Sequence, residues 1–151
     1  MTTILTERAT PSESANIDLT QSLLYRLRRV QQRAAAIFVD MIGDTQITPT
    51  QWAVLTTLKN QGALSQNQLG RLTYMDPATT QGVILRLVDR HMVERRPDPG
   101  DRRRTSVSLT KAGAAFVTQL TDNAQRANER VMEPLSAGER ETLLRLLEKL
   151  M

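Results

Sequence analysis

Nine basic residues fall within residues 71–111: Arg71, Arg86, Arg90, Arg95, Arg96, Arg102, Arg103, Arg104 and Lys111. The same window holds five acids: Asp76, Asp89, Glu94, Asp98 and Asp101. Their excess of four equals the formal net charge of the whole 151-residue chain, because the other residues balance at 11 basic and 11 acidic. A positive excess confined to one stretch is an electrostatic footprint for phosphate. Three adjacent arginines repel one another unless anions lie close, and a narrow minor groove, with its enhanced negative potential, suits such a tip. Asp101 can orient an arginine beside it through a charge-assisted hydrogen bond.

Other chemistries find little support. The chain has no cysteine, which excludes disulfides, zinc–thiolate sites and thiol redox sensing. His91 is the single histidine. It has no second histidine or paired nucleophile to work with, so neither a metal site nor general acid–base catalysis is expected. No glycine-rich phosphate loop follows a strand. An enzyme is therefore not expected, nor is a cofactor. No apolar run approaches the roughly 18–20 residues that span a bilayer, and the N-terminal residues lack the apolar block of a signal peptide. A cytoplasmic protein without a membrane partner is expected, associated with the nucleoid when bound to DNA.

The elements that position the basic stretch can be read in order. Aromatics make up only 3% of the chain and helix formers abound, which favours a mostly helical fold. Residues 1–16 read as a flexible tail. Asn16 to Asp18 can cap a long helix over residues 18–42, with Leu23, Leu27, Val30, Ala34, Ile37 and Met41 as its apolar stripe and Gly43 as its end. Leu24, Phe38 and Ile42 widen that face. Thr48, Pro49 and Gln51 then form a capping box flanked by Ile47 and Trp52, with Trp52, Leu55 and Leu58 facing inward. Ser65 and Gln68 repeat the box for a short helix burying Leu69 and Leu72. Asp76-Pro77 opens another helix four residues later, whose inward row is Val83, Ile84, Leu87 and Val88. Two short helices joined by a tight turn, the second with a polar leading edge, form a helix-turn-helix pattern. His91 then suits a left-handed C-terminal residue.

Beyond it, Asp98-Pro99-Gly100-Asp101 is a strong turn signal. Thr105, Val107 and Leu109 alternate with Ser106 and Ser108, as in a half-buried strand. The two flanks read as a β-hairpin with basic residues at its tip and shoulders. Thr110 caps a second long helix whose stripe is Val117, Leu120, Ala124, Ala127 and Val131, broken at Pro134. Ser136 and Glu139 form one more capping box, before a final helix rich in leucine (Leu143, Leu144, Leu146, Leu147, Leu150). Apolar faces this broad at both ends suggest burial in a symmetric partner.

This layout resembles a winged helix-turn-helix of the MarR family (multiple antibiotic resistance regulators). The run Asp98-Pro99-Gly100-Asp101-Arg102-Arg103-Arg104-Thr105-Ser106-Val107-Ser108-Leu109-Thr110-Lys111-Ala112-Gly113 is similar to that family's wing signature. The segments Ile47–Leu55 and Arg86–Arg90 are similar to it too. The resemblance implies a mostly α, α+β fold with a small β-hairpin wing flanked by dimerisation helices. Residues 17–45 are then the N-terminal dimerisation helix, 46–110 the DNA-binding lobe and 111–151 the C-terminal dimerisation helices.

It further implies a homodimer on a near-palindromic operator in double-stranded DNA. Thr79, Thr80, Gln81 and Arg86 are then expected in the major groove. Ser65, Gln66, Arg71 and Asp76 are expected on the DNA backbone, and Asp101, Arg102, Arg103 and Arg104 in the minor groove. Family members usually carry glycine where His91 stands, and often a longer polar residue where Gly82 stands. A ligand-responsive regulator, usually a repressor, is implied, released by a small aromatic or anionic effector in a cleft that Trp52 can border. Trp52 also fits plain core packing. An architectural DNA-binding protein without a ligand, and a protein-interaction module with a basic patch, are the alternatives at this stage.

Overall fold

The computed structural model describes residues 18–43, 45–97 and 105–151. Their order is α1 (Leu23–Ile42), α2 (Pro49–Gln61), β1 (Leu64–Ser65), α3 (Gln66–Leu72), α4 (Pro77–Asp89), β2 (Val93–Pro97), β3 (Thr105–Leu109), α5 (Lys111–Met132) and α6 (Ala137–Glu148). The arrangement is mostly helical with one small antiparallel sheet, as expected.

Helix starts follow the side chains that satisfy their orphan amides. At α2, Thr48 Oγ1 accepts from the Gln51 amide at 3.2 Å, while the Thr48 amide donates to Gln51 Oε1 at 3.0 Å. Ser65 with Gln68 repeats this at α3, and at α6 the Ser136 amide and hydroxyl both donate to the Glu139 carboxylate at 2.8 Å. Such boxes fix the chain's entry into its helix by satisfying its first donors. The start of α1 differs from expectation. Asp18 accepts from both the amide and the hydroxyl of Thr20, which closes a separate 3-10 turn over Leu19–Gln21. The helix therefore begins at Leu23 rather than at Asp18.

The core lies where α2, α3, α4 and the sheet meet. Val54, Leu55, Leu69, Ile84, Leu87, Val93 and Val107 are buried there. Leu72, expected inward, is half exposed, because α3 ends at that residue and only its Leu69 side reaches the core. The long helix α5 buries Val117, Leu120, Ala124 and Ala127 and packs along α1. The α1 stripe divides. Phe38 and Ile42 enter the core, whereas Leu23, Leu24, Leu27 and Val30 are exposed. On α6, Leu143, Leu144 and Leu146 are exposed as well.

The sheet has an order that the hairpin alone does not give. β2 pairs with β3 from Val93↔Leu109 to Pro97↔Thr105, and β1 adds on the other side of β3 through Leu64↔Val107 and Ser65↔Ser106. A strand of two residues is too short to alternate, so it carries no periodic signal. The hairpin returns to α5 through a tight joint. Thr110 Oγ1 donates to the His91 carbonyl at 2.7 Å and accepts from the Gly113 amide at 2.9 Å. His91 is left-handed at φ 55°, as its position suggested. Glycine is required at 113, where a Cβ would stand 2.0 Å from the Met92 carbonyl oxygen.

Replacing Gly113 by alanine forces that carbonyl aside and opens the joint. A loss of about 1–3 kcal/mol is expected, in the range of other overpacking substitutions. Urea unfolding monitored by circular dichroism reads it, and an unchanged midpoint would show that the joint absorbs the methyl freely.

Candidate nucleic-acid interface

The presentation of α4 depends on its first turn. Asp76 sits at the N-cap with extended backbone, and its carboxylate accepts from the Thr79 amide at 2.9 Å and from the Thr79 hydroxyl. Pro77 follows at the first helical position. The hydrogen bonds from Thr79, side chain first and backbone second, hold the Asp76 carboxyl below its ordinary value of 3.8. Asp76 thus acts on Thr79, and a carboxylate so engaged repels phosphate rather than binding it.

Thr80 corrects an expectation. It was placed among the groove-facing residues, yet it is fully buried. Its hydroxyl donates to the Asp76 carbonyl at 2.8 Å, the back-bond that threonine makes inside helices. Gly70 of α3 lies against it, since a Cβ there would come 2.8 Å from Thr80 Oγ1. The pair is a point of close contact between α3 and α4. Thr79, Gln81 and Arg86 are exposed, with the Thr79 hydroxyl engaged by Asp76.

The candidates for the DNA backbone gather on one side of that turn. Gln66 reaches toward the Pro77 carbonyl at 3.5 Å, and Arg71 is exposed. Both line an open groove of about 660 Å³ between α3 and the start of α4, with Tyr74 standing at its rim 84% exposed. Ser65 is drawn into its own capping box with Gln68. Along the wing, Arg95 is exposed, and Arg96 Nη2 lies 2.9 Å from a Glu94 carboxylate oxygen. Asp101, Arg102, Arg103 and Arg104 fall outside the described residues.

One feature lay beyond sequence reasoning. Arg90, at the end of α4, donates to the Thr45 carbonyl at 2.6 Å and to the Gln46 carbonyl at 3.0 Å. It thereby ties α4 to the connection between α1 and α2. No periodic signal reports such a long-range bond. Trp52, expected to border a cleft, lines one of about 240 Å³ between α2 and α5, together with Thr56, Lys59, Gln125 and Asn128 among others. Trp52 is half-buried, its ring centroid 6.1 Å from that of Phe38. Its one-turn and two-turn neighbours Thr56 and Lys59 share its helix face, a spacing that could have flagged them. Lys59 Nζ donates to Thr118 Oγ1 at 3.3 Å. A second cleft, about 330 Å³, opens toward α1 and shares Asn128. No cluster of metal-ligating residues occurs among the described residues.

Comparison with known proteins agrees with this geometry. The sequence signature of the MarR family matches residues 47–105. The HTH-type transcriptional repressor NicR of Pseudomonas putida is 38% identical over 145 residues, which cover 96% of this chain and 92% of NicR. A crystal structure of a probable transcriptional regulator from Pseudomonas aeruginosa superposes with a TM-score of 0.82 at 46% identity, covering 88% of this chain and 99% of that one. Bordetella bronchiseptica BpsR, whose DNA binding is regulated by 6-hydroxynicotinic acid, superposes with a TM-score of 0.81 at 36% identity, covering 87% and 94%.

Because its pKa in the folded chain lies below the ordinary 3.8, the Asp76 carboxylate contributes fully above that value. Its contribution is lost as pH falls through the folded pKa. Hydrogen exchange at the Thr79 amide should therefore quicken on acidification beyond its intrinsic pH trend. In Asp76→Asn, whose amide oxygen also caps, that extra acid step should be absent. Its persistence would assign the step to another group.

Proposed function

The chain belongs to the MarR family of transcription regulators, whose members are not enzymes, and on that premise we propose that it is a homodimeric repressor released from its operator by a small aromatic acid. The observation that carries this reading is the outward face of α4, where Thr79, Gln81 and Arg86 are exposed on a helix that Asp76 caps and Thr80 seats. Two such helices, one per protomer, enter successive major grooves of a near-palindromic site. Gln81 bonds a base edge, with adenine its best bidentate partner, and Arg86 contacts guanine or phosphate. Gln66 and Arg71 meet the sugar-phosphate backbone beside the α3–α4 turn. Asp101 orients the wing arginines Arg102, Arg103 and Arg104 into the flanking minor groove.

Exposed leucines on α1, on α6 and just after α6 support the dimer. Leu23 and Leu24 are 58% and 77% exposed, and Leu144 and Leu150 are 51% and 68% exposed. Apolar residues so concentrated at the two ends of a chain call for a partner surface. Residues 17–45 and 111–151 form the dimer lobe in this reading, and 46–110 the DNA-binding lobe.

The cleft beside Trp52 holds the effector. Its aromatic wall suits a planar ring, and the Lys59 ammonium at its edge suits a carboxylate. The regulation of BpsR by 6-hydroxynicotinic acid supports a hydroxylated aromatic carboxylate as the class. Bound between α2 and α5, such a ligand favours one spacing of these helices, and the DNA-bound spacing loses population in proportion to its differential affinity.

Three outcomes are expected. Selection from random DNA should enrich a near-palindromic sequence, and Arg103→Ala should weaken binding to it by about tenfold or more without dissociating the dimer. Unchanged affinity at physiological salt would remove the wing from recognition. Gln81→Ala should relax the preference at one base position, a discrimination of about 1–3 kcal/mol if the contact is bidentate. Finally, 6-hydroxynicotinic acid and related hydroxylated carboxylates should raise the melting temperature of the protein and lower its affinity for the operator. Lys59→Ala should blunt both effects. A panel in which no aromatic acid shifts the melting temperature would leave a DNA-binding protein without an effector.

A further inference from the structure

The side of α4 turned away from the core is not uniformly polar. Thr80, Val83, Ile84 and Leu87 are its buried residues. Successive residues of an α-helix are about 100° apart, as 3.6 residues per turn requires. The ridge diametrically opposite the buried row therefore runs through Ala78, Gly82, Leu85 and Asp89. Gln81 and Arg86 flank that ridge on its two sides. Ala78 is exposed, and a side chain built on Gly82 would meet no atom within 4 Å. Leu85, one turn further, is 45% exposed. An isolated exposed leucine needs no explanation on an ordinary surface. This one occupies the crest of the helix face that meets the bases in the reading above, with a methyl and a bare backbone as the preceding members of the row.

We propose that Leu85 is a specificity-determining residue, which reads the C5-methyl group of a thymine in the major groove. The inference rests on the DNA-binding reading and adds a base contact to it. An aliphatic side chain has no hydrogen bond to offer, and the thymine methyl is the apolar mark that the major groove displays. Ala78 and Gly82 make the contact sterically available. A long side chain at either position would hold the helix axis off the groove floor, whereas their small size lets the backbone sink until a leucine of modest reach touches the base edges. Gln81 and Arg86, on either side, then bond neighbouring bases or phosphates from the same depth. The half-site should accordingly contain a thymine opposite Leu85, close to the bases that Gln81 and Arg86 contact.

Uracil isolates the methyl, because it keeps every hydrogen-bonding group of thymine. Each thymine of the selected operator half-site is replaced in turn by deoxyuridine, and the affinity of wild type and of Leu85→Ala is measured by fluorescence anisotropy. With wild type, one thymine should show a loss of about fourfold per half-site, the worth of one buried methyl-sized group. With Leu85→Ala that loss should disappear, while melting temperature and affinity for unrelated DNA stay at wild-type values. Selection repeated with Leu85→Ala should lose the thymine preference at that one position. If no thymine responds to methyl removal, or if the response persists in Leu85→Ala, the inference fails while the DNA-binding reading stands. If wild type enriches no sequence at all, that reading fails first and this one with it.

Discussion

The buried hydroxyl of Thr80, lodged against Gly70 and bonded to the Asp76 carbonyl, sets how α4 is presented. The contact brings α3 and α4 close together. It also fixes the rotation of α4 about its own axis, since turning Thr80 inward places Ala78, Gly82 and Leu85 outward. Every assignment of a side chain to a groove follows from that rotation. Neither partner tolerates bulk there. A methyl on Gly70 would press on Thr80 and on the Met75 carbonyl, 3.1 Å away.

The far end of the same helix is held by charge-assisted hydrogen bonds as well as by the buried Leu87. Arg90 spans two carbonyls of the α1–α2 connection, where Gln46 adopts a left-handed φ of 53°. Charge-assisted bonds to carbonyl oxygens are stronger than neutral ones. One residue on, His91 turns left-handed and hands the chain to β2, and Thr110 closes the loop against α5. The end of α4, the root of the wing and the end of α1 therefore share one small polar joint. Through that joint α4 is tied directly to the connection between α1 and α2.

The two long helices divide their labour along their length. The end of α1 that carries Phe38 and Ile42 is built into the core, and its beginning is left with leucines facing outward. α6 repeats the imbalance, since none of its residues is buried. Every buried side-chain polar atom among the described residues is partnered, but the chain leaves apolar side chains of its terminal helices exposed. A second copy with the same surplus is the economical complement, because a two-fold axis lets each patch cover its equivalent.

Local sequence determined much of this. Three capping boxes, at Thr48, Ser65 and Ser136, and the Asp76 cap announced their helices residue by residue, because their hydrogen bonds close within four positions of the chain. His91 was legible for the same reason, as was the pairing of β2 with β3. The arginine run at 102–104 and the excess charge around it pointed to phosphate before any fold was known. What the sequence did not determine involves distant partners. Thr80 looked like a polar residue on an open face until Gly70 was packed against it. β1 needed β3 to become a strand, Asp18 spent its carboxylate on Thr20 instead of on the long helix, and Leu72 lost its burial because α3 stopped too soon. Arg90 found its carbonyls more than forty residues away. Periodicity and capping report what a residue does to its neighbours in sequence. Burial, helix rotation and long-range bonds depend on which surfaces meet, and only the folded chain brings those surfaces together.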